Sequence, residues 1–264
     1  MSPPPPIALE AATVILARDR LPLRSGIEVL LIRRPSRSRV AGGNYVFPGG
    51  RIEEEDWGPG IAALCRGLSR DEAAARLRTV EPPERAIGFW VAAIREVFEE
   101  IGVLLAYDRS GNIVRLQGEA SERIRRLRQA CRERAMRFAD LLHAEGLRLA
   151  ADRLQYFSHW ITPEERSVRN NARFFVAPAP ADQEIVLEPS EATAFQWVRP
   201  HEAVVAEARG VLPMRFPTIK TLEALAGYGE VTDLIAEARA KVIKAIRPRV
   251  VGERIVLPGE PGYY

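Results

Sequence analysis

An arginine and three glutamates fall within six residues of one predicted helix. In "REVFEE", residues 95–100, Glu96, Glu99 and Glu100 have the i, i+3, i+4 spacing that places side chains on one helical face. Three carboxylates this close repel at neutral pH, and hard divalent cations take oxygen ligands. The cluster therefore predicts either a Mg²⁺ or Mn²⁺ site or, in the simpler interpretation, an acidic helix end that faces solvent.

A second acidic stretch lies upstream, directly after two glycines. In "GGRIEEED", residues 49–56, Gly49 and Gly50 permit a sharp turn, and four acidic residues follow, of which Asp56 is the last. Residues 57–94 separate this stretch from the glutamate cluster. We expect the two stretches to form one site, with the intervening chain folding away and returning to the same place.

The chain around these stretches predicts one α+β domain. Ser69 and Glu72 form a capping box, which predicts a helix over 69–78. A longer helix over 83–102 has an apolar stripe on one side and ends at Gly102. Short apolar runs predict strands, and two more helices are expected later in the chain. The predicted strands cover 11–18, 28–34, 44–50, 103–106, 157–162, 173–179, 184–188, 194–198 and 253–258, and the later helices cover 121–143 and 231–246.

Composition and charge exclude several classes of protein. The 264 residues are 47% hydrophobic with a net charge of +3, which suits an anionic ligand but is too small for a nucleic-acid-binding protein. Cys65 and Cys131 have no cysteine or histidine at metal-binding spacing, which argues against a zinc site or a disulfide framework. No apolar run reaches the roughly 18 residues of a membrane span, so we expect a soluble protein of a reducing compartment with no membrane partner.

Taken together, the two acidic stretches resemble the signature of the Nudix hydrolase family. That signature is G-x5-E-x7-R-E-U-x-E-E-x-G-U, where U is aliphatic. Gly50 stands at its first glycine, and "REVFEEIGV" at 95–103 matches the second half at every specified position. Asp56 stands where the first glutamate is usual, and Glu53, Glu54 and Glu55 are the alternatives for its role. The resemblance implies a Nudix fold, in which a mixed β-sheet is sandwiched between helices.

The spacing within the motif differs from the family signature. Residues 57–94 number 38 where the signature has seven, so 31 additional residues split the motif. This split resembles the branch of the family that contains the peroxisomal coenzyme A diphosphatase of vertebrates. We therefore interpret 1–264 as a single Nudix hydrolase domain, with a helical insertion at about 57–84 and a second helical insertion at about 117–150.

The residues before the motif bear on the substrate. Coenzyme A-cleaving members of the family often have the element L-L-T-x-T-S-x3-R-x3-G-x3-F-P-G-G here. Arg39 and the Phe-Pro-Gly-Gly of 47–50 fall into register with it, whereas Ile32 and Arg34 replace its threonines. Arg34 and Arg39 are placed to bind an additional phosphate, such as the 3'-phosphate of coenzyme A. The alternative is a basic loop that only faces water.

The resemblance also implies roles for individual side chains. Arg95 lies four residues before Glu99, a spacing that permits an ion pair, and it is expected to orient a ligand glutamate. The general base is either Glu96 or a downstream glutamate, for which Glu191 is the candidate. The implied catalytic residues are Arg95, Glu96, Glu99 and Glu191, the metal ligands are Asp56, Glu96, Glu99 and Glu100, and the substrate-binding residues are Arg34, Arg39, Gly49 and Gly50.

The activity that the resemblance implies is metal-dependent hydrolysis of a diphosphate bridge. Coenzyme A or an acyl-CoA is the favoured substrate, with 3',5'-ADP and a 4'-phosphopantetheine as products. NADH, ADP-ribose and dinucleotide polyphosphates are alternatives within the family, because the motif binds only the diphosphate. A non-catalytic nucleotide-binding domain is a further alternative, which the retained acids disfavour, and nucleic-acid binding through the arginine-rich segment 121–143 ranks last.

The end of the sequence bears on location. The chain ends in "PGYY" and not in a peroxisomal targeting sequence, and its composition is rich in arginine and alanine. We therefore expect a cytoplasmic protein whose partner is a small nucleotide. A homodimer is compatible with the sequence.

Overall fold

A mixed β-sheet with helices on both faces is the centre of the computed structural model, which describes residues 6–20, 26–38 and 40–263. The strands are β1 (Leu9–Asp19), β2 (Ile27–Arg33), β3 (Tyr45–Val46), β4 (Gly49–Arg51), β5 (Ala106–Tyr107), β6 (Arg148–Leu149), β7 (Gln155–Ile161), β8 (Asn170–Pro178), β9 (Ala194–Val198), β10 (Ala245–Ile246), β11 (Arg249–Val251) and β12 (Arg254–Val256). The helices are α1 (Pro59–Ala62), α2 (Arg70–Arg76), α3 (Gly88–Ile101), α4 (Gly118–Arg132), α5 (Phe138–Glu145), α6 (Pro200–Ala208), α7 (Phe216–Leu225) and α8 (Val231–Ala240).

Strand β1 lies in the middle of the sheet and is buried on both faces. The strand order is β10-β7-β8-β1-β2-β3, with β4 also paired to β1 and β9 to β2. β1 runs parallel to β8 and antiparallel to β2 and β4. Val14 and Leu16 pack on the side of α3, whereas Ile15 and Ala17 pack on the side of α6, α7 and α8. This alternation confirms the predicted α+β architecture of a sheet between helices.

Helix α3 is held in the core by its apolar stripe. Trp90 and Phe98 are fully buried, and the indole N–H of Trp90 donates a hydrogen bond to the carbonyl of Leu154 (3.1 Å). Truncating either aromatic side chain to alanine would cost about 3–5 kcal/mol. Gly102 ends the helix in the left-handed conformation (φ 75°), as its position in the sequence predicts. The helix that bears the glutamates is therefore a rigid support.

Two predicted elements of the later chain are wrong. The helix expected over 121–143 is two helices, α4 and α5, because Arg134 has a positive φ (58°) that interrupts the helix. The segment 184–188 is not a strand: its backbone N–H groups at Val186 and Glu188 donate to the carbonyls of Ile101 and Glu100 (both 2.9 Å). It therefore satisfies carbonyls at the C-terminal end of α3 that have no partner within the helix.

Other predicted bounds are too long, and two helices had no prediction. The strand expected over 103–106 is reduced to β5, and the helix expected over 231–246 ends at Ala240, after which 245–246 forms β10. Helices α6 and α7 follow β9. Residues 57–84 contain α1 and α2, and residues 117–150 contain α4, α5 and β6. Within the described residues, no helix is both long and apolar enough to cross a membrane.

Candidate active site

The two acidic stretches meet, although 38 residues separate them. The guanidinium of Arg95 donates from Nε and Nη2 to the two carboxylate oxygens of Asp56 (2.8 and 2.9 Å) and from Nη2 to the carbonyl of Arg51 (2.9 Å). Asp56 also accepts a hydrogen bond from the backbone N–H of Glu53 (2.8 Å). Both partners are buried, so this bidentate pair joins the loop after β4 to helix α3 inside the protein.

The third nitrogen of Arg95 contacts two of the glutamates. Its Nη1 donates to Glu96 Oε1 (2.8 Å) and to Glu99 Oε2 (3.3 Å). Burial opposes the charged form of Arg95, but its hydrogen bonds to Asp56 and the surrounding carboxylates raise the pKa above the ordinary value. Arg95 is therefore a fixed cation that holds two carboxylates of α3 in place.

Glu100 is held from the opposite side by Arg34 and the glycine turn. Its Oε1 accepts from Arg34 Nη1 (2.9 Å) and its Oε2 from the backbone N–H of Gly49 (2.9 Å). The same Arg34 nitrogen lies 3.1 Å from Glu191 Oε2, so two acidic residues distant in sequence share one cation. Two further predicted residues, Arg34 and Glu191, are thus at the site.

Gly50 makes room for Glu96. A Cβ on Gly50 would lie 2.4 Å from the carboxyl carbon of Glu96, whereas a Cβ on Gly49 would lie 2.3 Å from the backbone oxygen of Ala12. Gly50 thus lets a catalytic candidate approach the backbone, and Gly49 lets β4 lie against β1. Each glycine has a separate steric reason.

Burial destabilises the charged form of the glutamates. It is the largest cause that raises the pKa of Glu96 to about 7, an effect that Arg95 opposes. It raises the pKa of Glu100 to about 8, with Glu96 adding to the effect and Arg34 opposing it, and it raises the pKa of Glu99 as well. A bound cation would stabilise the charged forms of such carboxylates.

The carboxylate donors fit a hard divalent cation. Glu96 and Glu99 each have one oxygen, Oε2 and Oε1 respectively, that accepts no hydrogen bond from the described residues. Mg²⁺ is usually bound by one or two protein carboxylates, together with water and substrate phosphates. No group of three or more His, Cys, Asp or Glu side chains converges to hold an ion in the part of the chain that the structure describes. Asp56 and Glu100 have both oxygens engaged, so the full set of four ligands stays a prediction.

A cleft of about 890 Å³ opens beside the glycine turn. Gly49, Gly50 and Arg51 form part of its lining, and Arg34, Arg166 and Arg215 add positive charge. A smaller pocket of about 550 Å³ adjoins it, shares Arg34 and Arg51 with it, and includes Glu191. The remaining lining of the larger cleft is largely apolar and aromatic. The arrangement suits an anionic ligand that also has apolar parts.

A buried arginine of helix α4 also supports the site. Arg128 of α4 donates from Nη2 to the carbonyl of Glu99 and from Nη1 to that of Val186 (both 2.8 Å). Arg132, one turn later, contacts Glu188 and donates to Ser190 Oγ (3.0 Å). The arginine-rich pattern of segment 121–143 gives no signal that Arg128 bonds the end of α3 or that Arg132 contacts the segment at Glu188 and Ser190.

The structure brings together most of the predicted site residues. Asp56, Arg95, Glu96, Glu99 and Glu100 form one connected cluster with Gly49, Gly50, Arg34 and Glu191, whereas Arg39 lies outside the described residues. Sequence reasoning missed three arginines of the cleft, Arg51, Arg166 and Arg215. Arg51 is adjacent to the motif and could have been found from that position. Arg166 and Arg215 belong to distant segments that only the fold brings together.

Comparison with known proteins identifies relatives over most of the chain. It is 26% identical over 209 residues to "Acyl-coenzyme A diphosphatase NUDT19" of Xenopus laevis, a match that covers 68% of this chain but only 54% of the frog protein. It is 27% identical over 271 residues to the protein of the same name from Gallus gallus, covering 85% of this chain and 70% of the chicken protein. The chain thus spans about half to two thirds of the length of these relatives.

Solved structures and a family model agree with these relatives. The crystal structure of a NUDIX hydrolase from Alicyclobacillus acidocaldarius superposes with a TM-score of 0.69 at 26% identity, covering 88% of this chain and 96% of that one. The model of the NUDT19 Nudix domain matches residues 9–219, which include both halves of the split motif. The chain belongs to the Nudix hydrolase family, in the group described by the NUDT19 Nudix domain.

Proposed function

We propose that this chain is a metal-dependent hydrolase that cleaves the diphosphate bridge of a nucleoside diphosphate conjugate, with coenzyme A or an acyl-CoA as substrate. The observation that carries the proposal is the closure of the split motif by Arg95 and Asp56. This closure places Glu96 next to Gly50, which lines an arginine-containing cleft, and Glu99 shares the Arg95 guanidinium with Glu96. Retention of Arg95, Glu96, Glu99 and Glu100 supports an enzyme over a domain that only binds nucleotides.

The protein's own residues orient the acids and bind the substrate. Arg95 holds Glu96 and Glu99 so that each directs a carboxylate oxygen away from its guanidinium. Mg²⁺ or Mn²⁺ bound by these oxygens would neutralise the negative charge that develops on the diphosphate. Arg34 and Arg51 line the cleft and are placed to bind phosphate oxygens. Such fixed charges act most strongly where water is excluded.

The reaction is a hydrolysis at phosphorus. The oxygen of a water molecule forms a bond to one phosphorus atom while the bond from that phosphorus to the bridging oxygen breaks, and the water proton passes to a general base. Glu96 and Glu191 are the candidates for this base, because both lie in the connected cluster. With coenzyme A the products are 3',5'-ADP and 4'-phosphopantetheine.

Two observations favour a coenzyme A-type substrate over other diphosphates. The matched relatives from Xenopus laevis and Gallus gallus are both named acyl-coenzyme A diphosphatases, at 26% and 27% identity. The cleft and the pocket beside it together contain more arginines than a diphosphate alone requires, including Arg37 and Arg169 in the smaller pocket. A third phosphate on the substrate would account for this excess of positive charge.

The test is a substrate panel in which Glu96→Gln is compared with Glu54→Gln. Both changes remove one carboxylate charge, but Glu54 is exposed on the loop after β4. We expect coenzyme A and its esters to yield 3',5'-ADP with Mg²⁺ or Mn²⁺, Glu96→Gln to lose at least 100-fold in kcat, and Glu54→Gln to stay within twofold. Turnover of NADH or ADP-ribose alone would refute the coenzyme A substrate, and no turnover of any diphosphate would refute the proposed activity.

A further inference from the structure

The C-terminal residues of the chain reach the same cleft. The family match ends at residue 219, yet Pro248 and Ile255, which lie beyond it, line the cleft together with Gly49 and Gly50. We propose that the hairpin β11–β12 forms a wall of the substrate cleft and selects diphosphate conjugates that have a long apolar arm. This inference rests on the proposed function, because it names the part of the substrate that this wall contacts.

Strand β10 fixes where the hairpin starts. It adds to the edge of the central sheet parallel to β7, with Ile246 opposite Trp160. Pro248 follows two residues later and reaches the cleft, which Trp160 also lines. The register of the sheet therefore sets the position of the chain as it enters β11.

The hairpin itself is tied down by its own contacts. β11 and β12 pair antiparallel with Val250 opposite Ile255. Tyr263 donates from its hydroxyl to the carbonyl of Arg247 (2.7 Å), and Arg249 Nη1 donates to the carbonyl of Tyr263 (2.9 Å). Val256 is buried at 3% exposure. An anchored hairpin of this kind can act as a wall of defined shape.

The cleft that the hairpin lines is largely apolar apart from its arginines. The cleft shares Arg34 and Arg51 with the smaller pocket, which also includes Glu191. Its other lining includes Trp160, Phe174, Met214 and Phe216, and two further arginines, Arg166 and Arg215, line the same cleft. Trp160 and Phe216 pack edge to face, with ring centroids 6.1 Å apart. One continuous cleft therefore offers both cationic and apolar surface.

A buried donor in this region lacks a protein partner. The indole N–H of Trp160 has no acceptor among the described residues, although the residue is only 6% exposed. Buried polar groups are nearly always hydrogen-bonded, so such a group calls for an explanation. Trp160 also lines the cleft, so this unpaired donor lies beneath the surface that the apolar arm would contact.

The occupant that fits is the acyl arm of a diphosphate conjugate. A volume of about 890 Å³ lies near the upper end of the range for ligand sites, so the cleft has room for more than a nucleotide. Each methylene group that is fully buried there tightens binding roughly fourfold. Affinity is therefore expected to rise with chain length until the apolar wall is covered, and the hairpin decides where this rise stops.

The experiment compares Ile255→Asp with Val251→Asp on the full chain. Both changes place a carboxylate on the same hairpin, but Ile255 lines the cleft whereas Val251 is exposed at 44%. Binding of coenzyme A and octanoyl-CoA is measured by tryptophan fluorescence in the presence of a chelator, so that no turnover is needed. We expect Ile255→Asp to weaken the binding of octanoyl-CoA at least tenfold and that of coenzyme A less than twofold. Val251→Asp should bind both ligands as the wild type does.

Three outcomes would overturn the inference. The first is an equal loss of affinity for coenzyme A and octanoyl-CoA in Ile255→Asp. The second is no loss of affinity in Ile255→Asp, and the third is a loss in Val251→Asp as large as that in Ile255→Asp. Ile255→Ala is the alternative variant if Ile255→Asp does not fold, because it keeps the hairpin apolar. It should weaken the binding of octanoyl-CoA about threefold to tenfold. Chain-length-dependent binding without hydrolysis would support the apolar wall while refuting the proposed activity. Hydrolysis with binding that does not depend on chain length would support the proposed activity and refute the apolar wall.

Discussion

Removing the carboxylate of Asp56 should destabilise the protein more than any other single change in the acidic loop. Asp56 has a side-chain exposure of 1% and accepts two hydrogen bonds from Arg95 and one from the backbone of Glu53. Asp56→Ala leaves Arg95 buried, with only the carbonyl of Arg51 and two partly exposed glutamates as partners. Breaking a buried ion pair in this way costs about 3–5 kcal/mol.

The assay is urea unfolding of five proteins in a chelator at pH 7.5. These are the wild type, Asp56→Ala, Arg95→Met, the double variant and, as a control, Glu54→Ala, whose side chain is exposed on the same turn. Because both single changes disrupt one interaction, the double variant should be less destabilised than their sum by about 2–3 kcal/mol. The control should stay within about 0.5 kcal/mol of the wild type.

Additive effects would refute the reasoning. If the double variant lost the sum of the two single losses within about 0.5 kcal/mol, the two residues would stabilise the fold independently. A loss below about 1 kcal/mol in Asp56→Ala would show that the pair is not buried and coupled in solution. Either result would mean that something else joins the two halves of the motif.

Three further predictions test the site and its support. Gly50→Ala should lower kcat at least 100-fold without unfolding the protein, because the new Cβ would displace the Glu96 carboxylate, which lies 2.4 Å away. Arg128→Met should lower the free energy of unfolding by about 2–3 kcal/mol, measured in urea, because the carbonyl of Glu99 loses its charged donor. His159 has its pKa lowered to about 4, chiefly by burial, so the stability it contributes is complete above pH 6.5 and is lost as the pH falls towards 4. In urea unfolding, the free energy of unfolding of the wild type should fall by about 3 kcal/mol more between pH 7 and pH 4 than that of His159→Gln.

Each of these has a result that would contradict it. Gly58→Ala is the matched control for Gly50→Ala, since the nearest atom to its new Cβ is 3.9 Å away, and equal activity losses in both would exclude a steric cause. An unchanged midpoint in Arg128→Met would show that α4 does not stabilise the end of α3. For His159, parallel pH profiles of wild type and variant would mean that the imidazole is not buried in neutral form.

The sequence predicted those features that depend on neighbouring residues. The capping box at Ser69 and Glu72 forms as predicted, with Glu72 reaching back to the backbone of Ser69 (2.7 Å), and Gly102 ends α3. Both are decided within one helical turn. The apolar stripe of α3 likewise repeats every three to four residues, so its buried face could be predicted before its partners were known.

The features that the sequence did not predict depend on contacts between distant segments. The run 184–188 is apolar enough for a strand, but its backbone is used to bond the last carbonyls of α3, and no propensity of these residues predicts that. Arg128 is one of many arginines in its segment, and only the packing of α4 on α3 distinguishes it. The apolar wall at Ile255 follows from the register of β10 on β7, which is a property of the assembled sheet.

The insertion inside the motif shows why a split site can survive. Lengthening a loop from seven to 38 residues costs only about 1.5 kcal/mol of closure entropy, because that cost grows with the logarithm of loop length. The bidentate pair between Asp56 and Arg95 fixes both ends of the excursion and can offset such a cost. The inserted residues also bury apolar side chains, among them Ile61, Leu68 and Leu77, in the same core as α3. Part of the core beneath the glutamates thus comes from the inserted residues, so shortening them to the family spacing would remove support from helix α3.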